Sequence, residues 1–176
     1  ARQINDTGID MILVGDSAAM VVHGHPNTLT ATMDMMVLHC AAVARACTRT
    51  MVIADMPFGS FQYGIEETMR NAARFVTEAR VDGVKFEATP NHIEKTKAIV
   101  QMGIAVMGHV GLHPQAVGAL GGLTVQGKSI ETARKVVSEA LANSKDLRIA
   151  AARVDQYQAA MVTTPVPPMP ATSTLY

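Results

Sequence analysis

The sequence predicts an α/β fold around a parallel sheet, and three observations carry that expectation. Short aliphatic runs alternate with segments of helical period; the runs are apolar at nearly every position; and each run ends in a polar residue. Strands buried on both faces read as continuous apolar stretches, and parallel strands need helical crossovers between them. At 176 residues, 48% hydrophobic and 17% charged, the chain can form a domain with its own core.

The strand candidates are IDMILVGD (residues 9–16), TMVIADM (50–56), GVKFEA (83–88) and IAVMGHV (104–110). A helix is predicted over 34–47, with Asp34 as a first-turn acid. A second covers 65–80, with Ile65, Met69, Ala72, Ala73 and Val76 as its inward stripe. Asn91 is expected to cap a third helix that runs to Met102 and is ended by Gly103. Ser129-Ile130-Glu131-Thr132 opens a fourth, with Ile130, Ala133, Val137, Ala140 and Leu141 facing inward. Asp16, Asp55, Glu87 and His109 are 39, 32 and 22 residues apart, which brackets the roughly 30 residues of one βα unit in a (β/α)8 barrel. A flavodoxin-like open sheet fits the same pattern and suits the chain length better. Beyond residue 143 the alternation fails. A division follows into a partial (β/α) barrel domain over 1–146 and a divergent C-terminal part over 147–176, a helix and then a Pro- and Thr-rich tail.

Fifteen acids balance fifteen Lys and Arg, so there is no basic footprint for nucleic acid. No apolar run approaches the roughly 20 residues of a membrane span, and a soluble protein is expected. The first ten residues lack signal-peptide design, and the missing initiator Met suggests processing or truncation. Cys40 and Cys47 are read as small core residues of a reducing compartment, and the twelve Met as pliable core filler.

The polar strand tips carry the functional reading. The first strand ends in Asp16-Ser17, the second in Asp55, the third holds Lys85 and Glu87, and the fourth ends in His109. In parallel α/β folds the carboxyl ends of the strands converge on one face, and that face holds the site. Carboxylates gathered there repel one another unless a hard cation relieves them, and Mg²⁺ takes one or two carboxylates while keeping places for substrate. With a Lys to hold a substrate carboxylate, the set suits stabilisation of an enolate. Taken singly, each residue has a structural alternative: a helix cap for Asp16 or Asp55, an ion pair for Lys85 and Glu87, a core histidine for His109. His23 and His25 form an H-x-H pair read as a loop feature, and GALGGLTVQGK (118–128) is read as a tight turn without P-loop spacing.

Five motifs, MILVGDSAAMVVHGHPNTL, ADMPFGSFQYG, GVKFEAT, AVMGHVGLHPQ and GGLTVQGK, occur in this order. Together they resemble the ketopantoate (3-methyl-2-oxobutanoate) hydroxymethyltransferase family over residues 1–140. The resemblance implies a (β/α)8 TIM barrel of the phosphoenolpyruvate/pyruvate type, of which about four βα units are present here. It implies transfer of a hydroxymethyl group from 5,10-methylenetetrahydrofolate to 3-methyl-2-oxobutanoate, giving 2-dehydropantoate for pantothenate synthesis through a Mg-stabilised enolate. By the same resemblance Asp16, Asp55 and Glu87 are metal ligands, and Asp16, Ser17, Asp55 and Lys85 bind substrate. Lys85 and His109 are then the catalytic residues. A homo-oligomer, decameric in the family, is implied, in the cytoplasm or, in a eukaryote, the mitochondrion. Family stretches written T-A-Y-D, L-E-C-V-P (with a Glu that resembles the general base) and I-G-I-G-A-G do not occur in this sequence, and Phe86-Glu87-Ala88-Thr89 stands where E-G-G is usual. Two other readings follow: an inactive truncated subunit that associates with a full-length homologue, or a related 2-oxo acid barrel lyase. The lyase reading lacks its expected cysteine-bearing loop.

Overall fold

The structure, a computed structural model, describes residues 1–142 apart from 88, 121, 123 and 124. Four strands, β1 (Met11–Val14), β2 (Met51–Asp55), β3 (Gly83–Glu87) and β4 (Ala105–His109), pair in parallel in the order β1-β2-β3-β4. That order excludes the flavodoxin-like alternative, which needs the first strand between the second and third. Among the described residues the sheet is an open α/β array of four strands. These residues belong to one compact unit, Ala1–Asn143. The expected boundary after 146, the C-terminal helix and the tail all lie outside them.

Helix α1 (Arg2–Asn5) precedes β1; α2 (Ala18–Val21) and α3 (Met33–Ala46) join β1 to β2, α4 (Ile65–Ala79) joins β2 to β3, and α5 (Ile93–Gln101) joins β3 to β4; α6 (Val117–Leu120) and α7 (Ile130–Ala142) follow β4. Thr32 starts α3 by accepting a bond from Met35 N at 3.2 Å, and Asp34 sits in the first turn as expected. Asn91 is not the cap of α5. Pro90 instead opens a 3₁₀ turn over Pro90–His92, α5 follows directly at Ile93, and Gly103, with φ +87°, stands two residues past its last residue Gln101.

Alternate strand residues sort onto the two faces. Val14, Val52, Ala54, Val84 and Phe86 join Met36 and Cys40 of α3, Phe75 and Ala79 of α4 and Ile99 of α5 in one core. Side chains of opposite parity, among them Asp55, Lys85, Glu87 and His109, lie on the other face. Gly83 belongs to that second face, where a Cβ would come within 2.8 Å of the Ala105 carbonyl, so β3 and β4 can pair closely only with glycine there. Of the twelve Met, Met36 and Met56 are fully buried, whereas Met11, Met20, Met51 and Met102 are exposed. Cys40 is buried and Cys47 half-buried, both free.

Two helical stripes differ from expectation. On α4 the buried residues are Thr68, Asn71, Ala72, Phe75 and Ala79, while Ile65 is exposed and Met69, Ala73 and Val76 are half-buried. Thr68 Oγ1 donates to the Gly64 carbonyl and Asn71 Nδ2 to the Ser60 carbonyl, so two polar residues turn inward to hold the preceding loop. On α7 Ile130 and Ala140 are exposed and Glu139 is buried. Among the described residues no helix is long and apolar enough to cross a membrane.

Asn5 is the structural residue that periodicity could not find. It is buried, and its Oδ1 accepts from the backbone N–H groups of Thr48, Arg49 and Thr50 and from the Thr50 hydroxyl, at 3.2–3.3 Å. One side chain thereby satisfies the turn that feeds β2. Asn5→Ala leaves four donors without that acceptor, so a loss of about 2–3 kcal/mol is expected by urea denaturation, far beyond that of the exposed Asp6→Ala.

Candidate active site

The parallel register brings the strand tips together. Asp55 and Lys85 are registered neighbours on β2 and β3, as are Glu87 and His109 on β3 and β4. Side chains of registered residues in neighbouring strands leave the sheet on the same side. Lys85 Nζ reaches Asp55 Oδ2 at 2.7 Å, and Asp16 donates its backbone N–H to the same oxygen at 3.3 Å. Asp16 stands just beyond β1, so three strands meet at one carboxylate. Asp16, Asp55 and Glu87 are each less than one-tenth exposed. Ser17 is exposed at the start of α2, with its hydroxyl not used as a cap.

Gln115 closes the arrangement from above. Its Nε2 donates to Asp16 Oδ2 and to the Met56 carbonyl, both at 2.9 Å, and its backbone N–H donates to Glu87 Oε1 at 2.7 Å. Its Oε1 accepts from Gln62 Nε2 at 3.1 Å. Gln62 in turn belongs to the loop after β2, whose Phe61 carbonyl takes the Lys95 ammonium at 2.7 Å. Gln115 therefore links the loops that follow β1, β2 and β4. Sequence reasoning passed it over because it lies inside AVMGHVGLHPQ, 99 residues from Asp16, with no spacing to betray the contact. His113 was missed likewise; it is buried and donates from Nε2 to the His109 carbonyl at 3.2 Å, with the two rings edge to face. Thr28 is also buried, in a turn packed on Pro114–Ala116, and its Oγ1 has no partner among the described residues.

The electrostatics follow from burial. Desolvation raises the Asp55 carboxyl above the usual carboxylate range despite the opposing pull of Lys85. Burial also raises Glu87, against the bond from Gln115 N–H. His109 is lowered by burial and then by the Lys85 charge, which keeps its imidazole neutral near pH 7.

Of the expected metal ligands, Asp16 and Asp55 come together, whereas Glu87 is engaged by the Gln115 backbone. Among the described residues no three His, Cys, Asp or Glu side chains are close enough to share an ion. His23 does not pair with His25; its Nε2 lies 2.8 Å from His39 Nε2 on the exposed surface. The donor set of Asp16 and Asp55 nonetheless fits a hard cation. It is a pair of adjacent buried carboxylates, and their Oδ1 atoms meet no donor among the described residues.

The family model for ketopantoate hydroxymethyltransferase matches residues 1–153. The chain belongs to this family. It is 50% identical over 140 residues to 3-methyl-2-oxobutanoate hydroxymethyltransferase 2, mitochondrial, of Oryza sativa subsp. japonica, covering 79% of this chain and 35% of the rice protein. It is 49% identical over 142 residues to the 3-methyl-2-oxobutanoate hydroxymethyltransferase of Syntrophomonas wolfei, covering 81% and 51%. With the enzyme of that name from Thermobifida fusca it shares 48% over 140 residues, covering 80% and 50%. The chain thus spans between a third and a half of the length of these curated relatives. Asp16, Asp55, Glu87 and Gln115, one from each of the first four ordered motifs, meet at the strand tips.

Gln115→Leu strips one donor from Asp16 and one from the Met56 carbonyl, and a loss of about 2–3 kcal/mol in urea denaturation is expected. The raised Glu87 carboxyl has a definite sign. The unfolded chain ionises first, so this group's destabilising effect is absent below the ordinary carboxylate range and grows as pH rises above it. Glu87→Gln keeps an acceptor for Gln115 N–H and removes the charge. Its urea midpoint should therefore exceed that of the parent at pH 7 and match it at pH 4, as read by denaturation at the two pH values.

Proposed function

We propose that this chain carries the keto-acid-binding part of a 3-methyl-2-oxobutanoate hydroxymethyltransferase. Such an enzyme transfers a hydroxymethyl group from 5,10-methylenetetrahydrofolate to 3-methyl-2-oxobutanoate and gives 2-dehydropantoate. The observation that carries this reading is the cluster of buried Asp16 and Asp55 with the half-buried Lys85 at the strand tips of a family member. On this reading the four βα units are part of a (β/α)8 barrel, whose active sites lie at the carboxyl ends of the strands.

Asp16 and Asp55 are the residues that hold Mg²⁺, with Glu87 beside them. When bound, Mg²⁺ supplies Lewis-acid polarisation of a 2-oxo carbonyl, which acidifies the neighbouring C–H. The rest falls to the chain. Lys85, tied to Asp55 and partly exposed, offers an ammonium to the keto acid's carboxylate. Ser17 adds a hydroxyl donor from the start of α2. His109, neutral near pH 7 and registered beside Glu87, can donate or accept one hydrogen bond at the substrate oxygens without adding charge. Gln115 fixes Asp16 and Glu87, so the carboxylates keep their orientation as substrate enters.

A homo-oligomer is part of the proposal. So is a cytoplasmic location, or a mitochondrial one in a eukaryote, matching the word in the rice proteins' names.

Calorimetric titration with 3-methyl-2-oxobutanoate tests the reading. Binding is expected with Mg²⁺ and not with EDTA, and Asp55→Ala should weaken it at least about tenfold. Metal-independent binding, or an unaffected Asp55→Ala variant with native circular dichroism, would sink the assignment.

A further inference from the structure

A pair of imidazoles in the helical layer takes no part in the strand-tip site. His23 lies two residues past the end of α2, and His39 lies within α3. Their Nε2 atoms are 2.8 Å apart, and the rings meet edge to face with centroids separated by 5.1 Å. Among the described residues neither ring has another hydrogen-bond partner. His23 is exposed and His39 half-buried, and the contact between them is open to solvent. Both backbones are held in place. Helix α2 ends in a closed turn, in which the N–H groups of His23, Gly24 and His25 donate to the carbonyls of Ala18, Met20 and Ala19, with Gly24 at φ +71°. His39 stands on a 14-residue helix whose Met36 and Cys40 are buried in the core. A solvent-exposed bond between two neutral rings contributes only modestly to stability, so folding alone is a weak reason for the pair.

We propose that His23 and His39 form a site for a late first-row divalent cation, Zn²⁺ foremost, separate from the strand-tip carboxylates. Imidazole suits Zn²⁺, Cu²⁺ and Ni²⁺, whereas Mg²⁺ takes oxygen ligands and keeps its waters. Two Zn–N bonds of about 2.0–2.1 Å at a tetrahedral angle place their nitrogens roughly 3.3 Å apart. The pair therefore has to open by about half an ångström, a movement the exposed His23 side chain can make. No proton is lost on binding. In the hydrogen-bonded pair one Nε2 carries a proton and the other accepts it. With the ion in place that proton passes through water to Nδ1 of its own ring, and both Nε2 lone pairs face the metal. Water completes the coordination, because no third His, Cys, Asp or Glu joins the two among the described residues. The ion ties the segment that starts at Asp16 and Ser17 and ends at His23 to the core-packed α3, and it stabilises the native chain by mass action. The inference uses none of the strand-tip residues and stands apart from the proposed reaction.

The test is calorimetric titration of the whole chain with Zn²⁺ in a large excess of Mg²⁺, which fills oxygen-ligand sites. One Zn²⁺ per chain is expected at the pair. His23→Gln and, separately, His39→Gln should each weaken it more than about tenfold. His23 is exposed, so its variant keeps native circular dichroism. Because His39 is half-buried, nitrogen-15 spectra of the imidazoles in the parent chain supply a second readout that needs no variant at that position. Zn²⁺ should move two Nε2 resonances and leave the other four rings unchanged. Hydrogen exchange of peptide 17–25 should slow with Zn²⁺ in the parent and not in His23→Gln. An absence of Zn²⁺ binding, as for a pair that is hydrogen-bonded only, overturns the proposal. So does binding that both variants retain, or Zn²⁺ that Mg²⁺ displaces, since a thiol or carboxylates would then hold it.

Discussion

Asp55 sets the terms on which this structure is built. Its carboxylate is almost wholly removed from water, and burial alone pushes it toward the neutral acid. The Lys85 ammonium at 2.7 Å and the Asp16 N–H at 3.3 Å oppose that push. Those partners sit on β3 and just past β1, so the pairing requires three strands in parallel and in register. It also dictates parity. Once Asp55 and Lys85 face one side, Ala54, Val84 and Phe86 must face the other, and α3, α4 and α5 pack where those residues point. A buried ion pair seldom outperforms an apolar pair of similar volume in stability. Its presence among aliphatic strands is therefore better explained by chemistry than by folding.

Gln115 is the second constraint, and it works by geometry rather than charge. A carboxylate at the end of a strand has freedom about two torsions, which a site that positions substrate must remove. Gln115 removes it at Asp16 through Nε2 and at Glu87 through its backbone N–H. The two acids lie on different elements, so one residue sets the spacing between the first and third strand tips. The amide suits this task because it donates and accepts at once without adding charge to a crowded set of acids. Its oxygen is taken by Gln62, which carries the restraint into the loop after β2.

What could be read in the sequence follows from the range of the interactions. All four strands stand where continuous apolar runs put them, and α3 and α4 differ from expectation by about one residue at their ends, because both signals are local. The predicted stripe of α4 shares only Ala72 with the buried set, because hydrophobic period does not reveal Thr68 and Asn71, which turn inward to bond carbonyls at Gly64 and Ser60. Asn91 failed as a cap because Pro90 makes a 3₁₀ turn first. The clustering of the tips at Asp16, Asp55 and Lys85 was legible through the rule that parallel strands converge at their carboxyl ends. Asn5 and Gln115 were not, as their partners lie 43 to 45 and 53 to 99 residues away, apart from Asp6 beside Asn5 and the 28-residue bond to Glu87. A polar side chain that serves distant backbone groups leaves no period behind.

The inner face joins the site to whatever completes the sheet. Asp55 and Lys85 share parity with Met51 and Ile53 on β2 and with Gly83 on β3, so the apolar floor and the polar mouth are successive layers of one surface. Covering the floor excludes water from beneath the mouth. The local dielectric falls, and both the attraction between Lys85 and Asp55 and the penalty on an uncompensated acid grow. A sheet open on this side holds the same residues at the same distances, but with weaker fields at its tips. The covering of this face is therefore a term in the chemistry of the site, acting through solvation while every polar atom stays where the strands have put it.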